Sequence, residues 1–234
     1  MTQAQWIKRV VKPIAFLASL GPLVWLVRDI LTGHLGANPV ERITHFTGLT
    51  ALTFVLIALG VTPARRLLGI SGLVQLRRML GLYAFFYALL HFIIYGLDRT
   101  LWEGTGLSLQ AIGEDIGKRP YITVGFTAFL ILCALATTST DGMVKRLGGK
   151  RWKRLHRLVY VAGALGVLHF LWLVKADVRQ PTAYGMVLVG FLAFRLVGER
   201  KRRARRLVAA GQPVPAAVRA TSASLPLNDP GFSS

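Results

Sequence analysis

The fold class this sequence predicts is all-α, a polytopic membrane protein of six transmembrane helices, and three observations predict it. Of the 234 residues, 53% are hydrophobic and only 17% charged, and the mean hydropathy is +0.49. A soluble domain of this length does not usually combine so apolar a middle with so few charges. Six windows of about 17 to 20 residues are nearly charge-free, the length that crosses a hydrocarbon core as a helix. The basic residues, finally, gather in alternate connections between those windows.

In chain order the predicted spans are 11–27, 43–61, 79–97, 121–138, 155–174 and 181–197, the last the shortest. Lys8, Arg9 and Lys12 precede the first span as they would in a secretory signal. The apolar run, however, continues through Pro22 to Val27 before Arg28 and Asp29, with no convincing cleavage site, so the expectation is an uncleaved helix. With an even number of spans, both termini fall on one side. If that side is cytoplasmic, it holds 22 of the 29 Lys and Arg residues. They lie in the N-terminal segment, at Arg65, Arg66, Arg77 and Arg78, between Lys145 and Arg157, and from Arg195 onward. The other side holds 7 basic residues and 7 of the 10 acidic ones. This is the positive-inside asymmetry of a bacterial inner-membrane protein with cytoplasmic termini. Topology thus explains the net charge of +19, and nucleic-acid binding, the other reading of so basic a chain, is disfavoured.

A single transmembrane domain is expected from residue 6 to 198, followed by a tail from 199 to 234. ERKRRARR at 199–206 stands directly after the last span, where it can lie on anionic headgroups. The remaining tail is rich in Ala, Pro, Ser and Gly, lacks periodicity and reads as disordered. Three connections face the outer side: 28–42, 98–120 and 175–181. The middle one carries Asp98, Glu103, Glu114 and Asp115 with Trp102 and Leu107 interleaved, either a docking surface or a solvated loop. No internal repeat is legible.

Three histidines, His91, His156 and His169, sit inside predicted spans. An imidazole in hydrocarbon is costly unless a hydrogen bond or a metal satisfies it, so such residues are functional candidates. The natural partner for the set is haem iron with axial histidine ligands. His156 and His169 share the fifth span 13 residues apart, about 20 Å along the axis, too far for one metal ion but suited to two haems, one in each leaflet. His91, in LYAFFYALLHFIIYGLD, stands 6 residues before Leu97, and His169 stands 5 before Val174. Their depths match, so a bis-histidine haem on the outer side is the sharpest site the sequence offers. Each could instead be a core histidine bonded to a backbone carbonyl. His156 begins the fifth span at the cytoplasmic side without a second histidine at its level. Arg77 stands there, fourteen residues before His91. Arg77, Arg78, Arg154 and Arg157 could neutralise haem propionates, or simply be positive-inside charge. His45 opens the second span at the outer level and could contact that haem, relay a proton or only pack. His34 sits in a Gly-containing loop and reads as solvated.

Cys133 is the only cysteine, so there is no internal disulfide, no Cys-x-x-Cys and no C-x-x-C-H for covalent haem attachment. Any haem, one or two per chain, is therefore of b type. No paired intramembrane carboxylates, P-loop, dinucleotide fingerprint or H-E-x-x-H is present. LGGK at 147–150 is a short loop. Electron transfer needs no acid or base, in keeping with these absences.

The sequence resembles the MsrQ family, haem-binding membrane subunits of the bacterial periplasmic protein-methionine-sulfoxide reductase system within the ferric-reductase-like transmembrane superfamily. The stretches that carry the resemblance are NPVERITHFTG at 38–48, TPARRLLG at 62–69, LRRMLGLYAFFYALLHFIIY at 76–95, DIGKRPYITVG at 115–125, TSTDGMVKRLGGKRWKRLHRLVY at 138–160 and HFLWLVKAD at 169–177. The resemblance implies a six-helix inner-membrane cytochrome with b-type haem and FMN. It implies electron transfer from the quinone pool, or from a cytoplasmic flavin reductase, to a periplasmic molybdopterin-containing catalytic subunit that reduces methionine sulfoxide in oxidised proteins. The chain itself would not act on the sulfoxide. The family's haem ligands correspond to His91, His156 and His169. No flavin-binding residues are readable, and the basic tail is longer than the resemblance accounts for. The alternatives are a cytochrome b of another reductase, such as a metal reductase, or a non-redox membrane anchor or permease.

Overall fold

The computed structural model describes residues 2–102, 109–174 and 176–210, and the regular structure among them is entirely helical. Helix α1 (Gln3–Trp6) runs through a π-helical turn at Ile7–Val11 into α2 (Lys12–Leu31). Then come α3 (Pro39–Leu68), a 3₁₀ turn at Ser71–Gln75 and α4 (Leu76–Trp102). After them follow α5 (Leu109–Lys118), α6 (Pro120–Thr137), α7 (Asp141–Leu155), α8 (Leu158–Leu173) and α9 (Arg179–Ala209). Five helical stretches are long and apolar enough to cross a membrane, at 7–31, 39–68, 71–98, 120–137 and 179–209. The pair α7 and α8, bent by 44°, makes the sixth when counted as one broken span. The chain is a multi-pass, all-α membrane protein, as expected.

Local sequence explains the ends. Asn38 caps α3 by accepting the Glu41 N–H, with Pro39 in the first turn where no N–H is needed. Gly69 ends the same helix in the left-handed region, φ 68°. Thr140 caps α7 through the Met143 N–H. Three boundaries differ from the sequence reading. The fifth span does not begin in the basic cluster: residues 141–155 form their own polar helix, broken at Gly148 (φ 71°), and His156 is its C-cap rather than the start of α8. The connection at 98–120 contains the last turn of α4 and all of α5, leaving Glu103 and Leu107 outside the described residues. Helix α9 does not stop near 197 but carries ERKRRARR to Ala209. Ala, Lys and Arg are strong helix formers, and no Pro interrupts them before Pro213.

The chain divides into two compact units, one ending at Leu188 and one beginning at Val189. In the second, Arg195 pairs with Glu199 one turn on at 2.9 Å. In the first, α3 packs along α4 and α6 along α8, while α4 touches α6 and α3 touches α8. The starts of α3 and α6 share one cavity with the ends of α4 and α8, so the four helices alternate in direction. Threonine hydroxyls along α3 are satisfied within the helix: those of Thr47, Thr50 and Thr53 donate to carbonyls one turn back, and Thr53 also meets Tyr184 at 2.8 Å.

An aromatic stack ties α2 to this core. Phe54 stacks on Tyr87 with centroids 5.3 Å apart and on Tyr83 at 5.7 Å. Tyr83 donates to the Phe16 carbonyl. The fully buried Tyr87 hydroxyl donates to Ser19 O at 2.8 Å and accepts Leu23 N–H at 3.2 Å. Ser19 and Leu23 are an i,i+4 pair beside Pro22, whose ring disrupts the helix ladder. A side chain from another helix thus binds two backbone groups in the turn that carries the proline. Tyr87→Phe leaves both backbone groups without that bridge in an apolar setting, a loss of about 1–3 kcal/mol. Thermal unfolding in detergent measures it, and an unchanged midpoint would mean that α2 does not depend on Tyr87.

Candidate functional site

Two hairpins carry the same device. On α3, the Thr44 carbonyl accepts a hydrogen bond from His91 Nδ1 of α4 at 2.8 Å. On α6, the Tyr121 carbonyl accepts one from His169 Nδ1 of α8 at 2.7 Å. Four residues after each carbonyl stands a glycine, Gly48 and Gly125. A helical side chain leans back over the preceding turn, so a glycine at that position uncovers the carbonyl and opens a notch for the ring. The fit is close: a Cβ on Gly48 would lie 2.9 Å from His91, and one on Gly125 would lie 2.7 Å from His169.

These contacts fix the chemistry of the rings. A carbonyl only accepts, so each imidazole carries its proton on Nδ1. Among apolar walls the neutral form is favoured. Nε2 is then a bare lone-pair nitrogen, and among the described residues it has no hydrogen-bond partner. The two rings face each other edge to face with centroids 6.2 Å apart and planes at 78°. Two imidazoles placed opposite each other on one metal ion, with bonds of about 2 Å, also hold their centroids about 6 Å apart. No group of three or more His, Cys, Asp or Glu is placed to hold a metal ion among the described residues. The pair therefore suits a metal whose equatorial ligands come with a cofactor, not a bare ion.

The pair opens on a cavity of about 270 Å³ with mostly apolar walls. Leu52, Phe92, Phe126, Phe129 and Phe170 line it, with small residues Ala88, Ala128 and Gly166 leaving room between them. Phe92 stacks on Phe129 at 4.8 Å, which stiffens one wall. His45 stands in another wall, edge-on to Phe170 at 5.6 Å, and also lines a second, more polar pocket with Asp29, Glu41 and Arg42. Tyr95, Arg119 and Tyr121 bring polar groups to the cavity. Arg119 Nε contacts the buried Asp115 at 2.9 Å, and Tyr95 donates to the same carboxylate at 2.6 Å. The Tyr121 hydroxyl, then the Asp115 charge, push the Arg119 pKa up, so its charge is permanent.

The structure brings His91, His169 and His45 to one cavity and leaves His156 out of it. Both nitrogens of His156 meet protein atoms, Nδ1 the Trp152 carbonyl at 3.1 Å and Nε2 the Ser139 hydroxyl at 3.2 Å. Its ring stacks on Trp152 with centroids 3.9 Å apart. Arg77, Arg78, Arg154 and Arg157 do not line the cavity either, and Arg78 pairs with Asp141 at 2.5 Å. His34 is exposed and contacts Thr32. Sequence reasoning missed Gly48, Gly125, Asp115 and Arg119. A signal for the glycines existed: THFTG at 44–48 and YITVG at 121–125 precede their histidines by nearly equal spacings.

Residues 46–167 match the family described as ferric reductase like transmembrane component. A protein-methionine-sulfoxide reductase heme-binding subunit, MsrQ, of Herminiimonas arsenicoxydans is 47% identical over 203 residues, 86% of this chain and 91% of that one. The MsrQ protein of Rhodospirillum rubrum is 51% identical over 189 residues, 80% and 88% of the two chains. That of Ralstonia nicotianae is 46% identical over 210 residues, covering 88% and 94%.

The notches make a direct prediction. Gly48→Ala or Gly125→Ala forces a ring or a helix to move, a cost of about 1–3 kcal/mol from overpacking. Gly81→Ala, on the α4 that carries His91 but with open space around the added Cβ, gains up to about 1 kcal/mol of helix propensity instead. Thermal midpoints in detergent separate the two classes. Equal midpoints would show that the histidines do not press on the glycines.

Proposed function

The chain belongs to the ferric reductase like transmembrane component family and, within it, to the MsrQ subunits, and from that premise we propose that it is a b-type cytochrome that carries electrons across a bacterial inner membrane. Its haem is held between His91 and His169. The observation that carries this reading is the facing pair itself: two neutral imidazoles, oriented by carbonyls, with unpartnered Nε2 atoms and centroids 6.2 Å apart. The apolar walls, the two glycine notches and the lone Cys133 fit a non-covalent macrocycle. Haem iron supplies reversible one-electron chemistry between two imidazole ligands. The protein's share of the work is orientation and exclusion of water. Thr44 and Tyr121 hold the rings, and the phenylalanine walls keep the site dry.

In this reading the chain is an electron-transfer subunit and does not itself reduce methionine sulfoxide. Electrons come from the quinone pool or a cytoplasmic flavin reductase and pass to a periplasmic molybdopterin-containing catalytic subunit. FMN is a second cofactor. Both termini are cytoplasmic, so the His91 and His169 end of the bundle faces the periplasm, next to the acceptor. The haem domain extends over 6–198, and the basic segment beyond it lies on anionic lipid. A second haem at His156 requires its Nε2 to exchange Ser139 for iron, with Arg77 and Arg78 at that level available to its propionates.

A reduced-minus-oxidised spectrum of the detergent-purified protein, with pyridine-haem quantitation, tests this. Sharp b-type bands are expected, and His91→Ala or His169→Ala removes the haem they share. Two haems per chain, falling to one in His156→Ala, would fill the second site. One haem unaffected by His156→Ala would make His156 a structural residue. A haem-free protein, purified with haem in good supply, would return the chain to the anchor or permease class.

A further inference from the structure

Arg119 is the only ionised side chain among the described residues that line the histidine cavity. It precedes Tyr121, whose carbonyl holds His169, so it stands at the end of the bundle from which both rings are anchored. Two neighbours fix its guanidinium. Nε faces Asp115 Oδ1 at 2.9 Å, and Nη1 donates to the Tyr121 hydroxyl at 3.2 Å. No hydrogen bond from Nη2 is made to the described residues. Asp115 is itself only 4% exposed and is also held by Tyr95 at 2.6 Å. A buried carboxylate braced by a tyrosine is a rigid support for a cation, and it leaves one edge of the guanidinium for another acceptor.

We propose that Arg119, positioned by Asp115, binds a carboxylate of the ligand held between His91 and His169, which under the haem reading above is a propionate. The four arginines at 77, 78, 154 and 157 belong to the level of His156 and lie outside this cavity, so Arg119 is the cation available to it among the described residues. The chemistry is that of a guanidinium meeting a planar carboxylate at the edge of an apolar slot. The slot accepts the macrocycle, and the cation fixes which edge faces the end of the bundle.

The test uses the full chain, freed of haem in detergent and titrated with hemin and with hemin dimethyl ester, whose esterified propionates carry no charge. Wild type should prefer hemin, and Arg119→Gln should reduce that preference about tenfold or more while binding the ester as wild type does. Arg119→Lys should keep most of the preference. The potential of the bound haem gives a second readout, one that a packing defect would not produce. Removing the Arg119 cation lowers the potential, and removing the Asp115 anion in Asp115→Asn raises it. An undiminished preference in Arg119→Gln overturns the proposal, as do potential shifts of the same sign. Should Arg119→Gln fail to fold, an unaltered preference in Asp115→Asn overturns the positioning role. Wild type that binds neither probe defeats the haem reading itself, a result distinct from haem binding without discrimination.

Discussion

The contact between each cavity histidine and the helix beside it is the constraint from which the rest of the site follows. An imidazole among apolar side chains must satisfy a donor and an acceptor or lose several kcal/mol. In this protein the donor is satisfied by a backbone carbonyl, a fixed part of a helix with spare acceptor capacity. The helix must therefore approach to hydrogen-bond distance, which it does only where a glycine follows four residues later. Thr44 with Gly48, and Tyr121 with Gly125, meet that requirement in the same way. The spacing between α3 and α4, and between α6 and α8, is thereby set at the level where a ligand would sit.

That device also explains the architecture around it. Each hairpin places one histidine near the end of its second helix and anchors it near the start of its first. Two such hairpins side by side bring two rings together across the bundle, 6.2 Å apart. Neither hairpin alone makes a two-sided site. The site's existence depends on the packing of α4 against α6 and α3 against α8, and the small residues Ala88, Ala128 and Gly166 keep that packing from closing the cavity. The turn of α2 that carries Pro22 is also held by the Tyr87 hydroxyl from α4. The helix that carries His91 thus also braces the helix outside the four-helix core.

Much of the fold was legible because membranes simplify the reading. Length and apolarity predict spans, and each of the six windows matches an observed helix or the bent pair, with only Thr138 and Val174 falling one residue past a helix end. The depth match of His91 and His169 was likewise a matter of counting residues from helix ends. What stayed hidden depended on contacts between elements. No repeat was visible, because the two hairpins share only a glycine, a histidine and their spacing, while THFTG and YITVG otherwise differ. The polar helix at 141–155 was not foreseen, since it lies in a basic run read as a connection, with LGGK taken as a loop, and its break at Gly148 and its end at His156 fall within that run. Arg119 stood in a segment read as a loop and was counted as one of the few outer basic residues. Only the pairing with Asp115 turns it toward a function.

The two ends of the bundle are built to different rules, and the difference bears on direction. At the His91 and His169 end the imidazoles are left with open acceptor atoms, and the one cation that lines their cavity among the described residues, Arg119, is held by the buried Asp115 and by Tyr121. At the His156 end the ring is fully engaged by Ser139 and Trp152, and charge is abundant on the exposed, basic α7. An engaged histidine needs a competing ligand strong enough to displace two hydrogen bonds, whereas a preorganised pair needs nothing displaced. In the proposed cytochrome the outer site therefore fills first and holds more tightly. In the same reading, a haem at His156 fills later and exchanges more readily, because it must displace both hydrogen bonds of the ring.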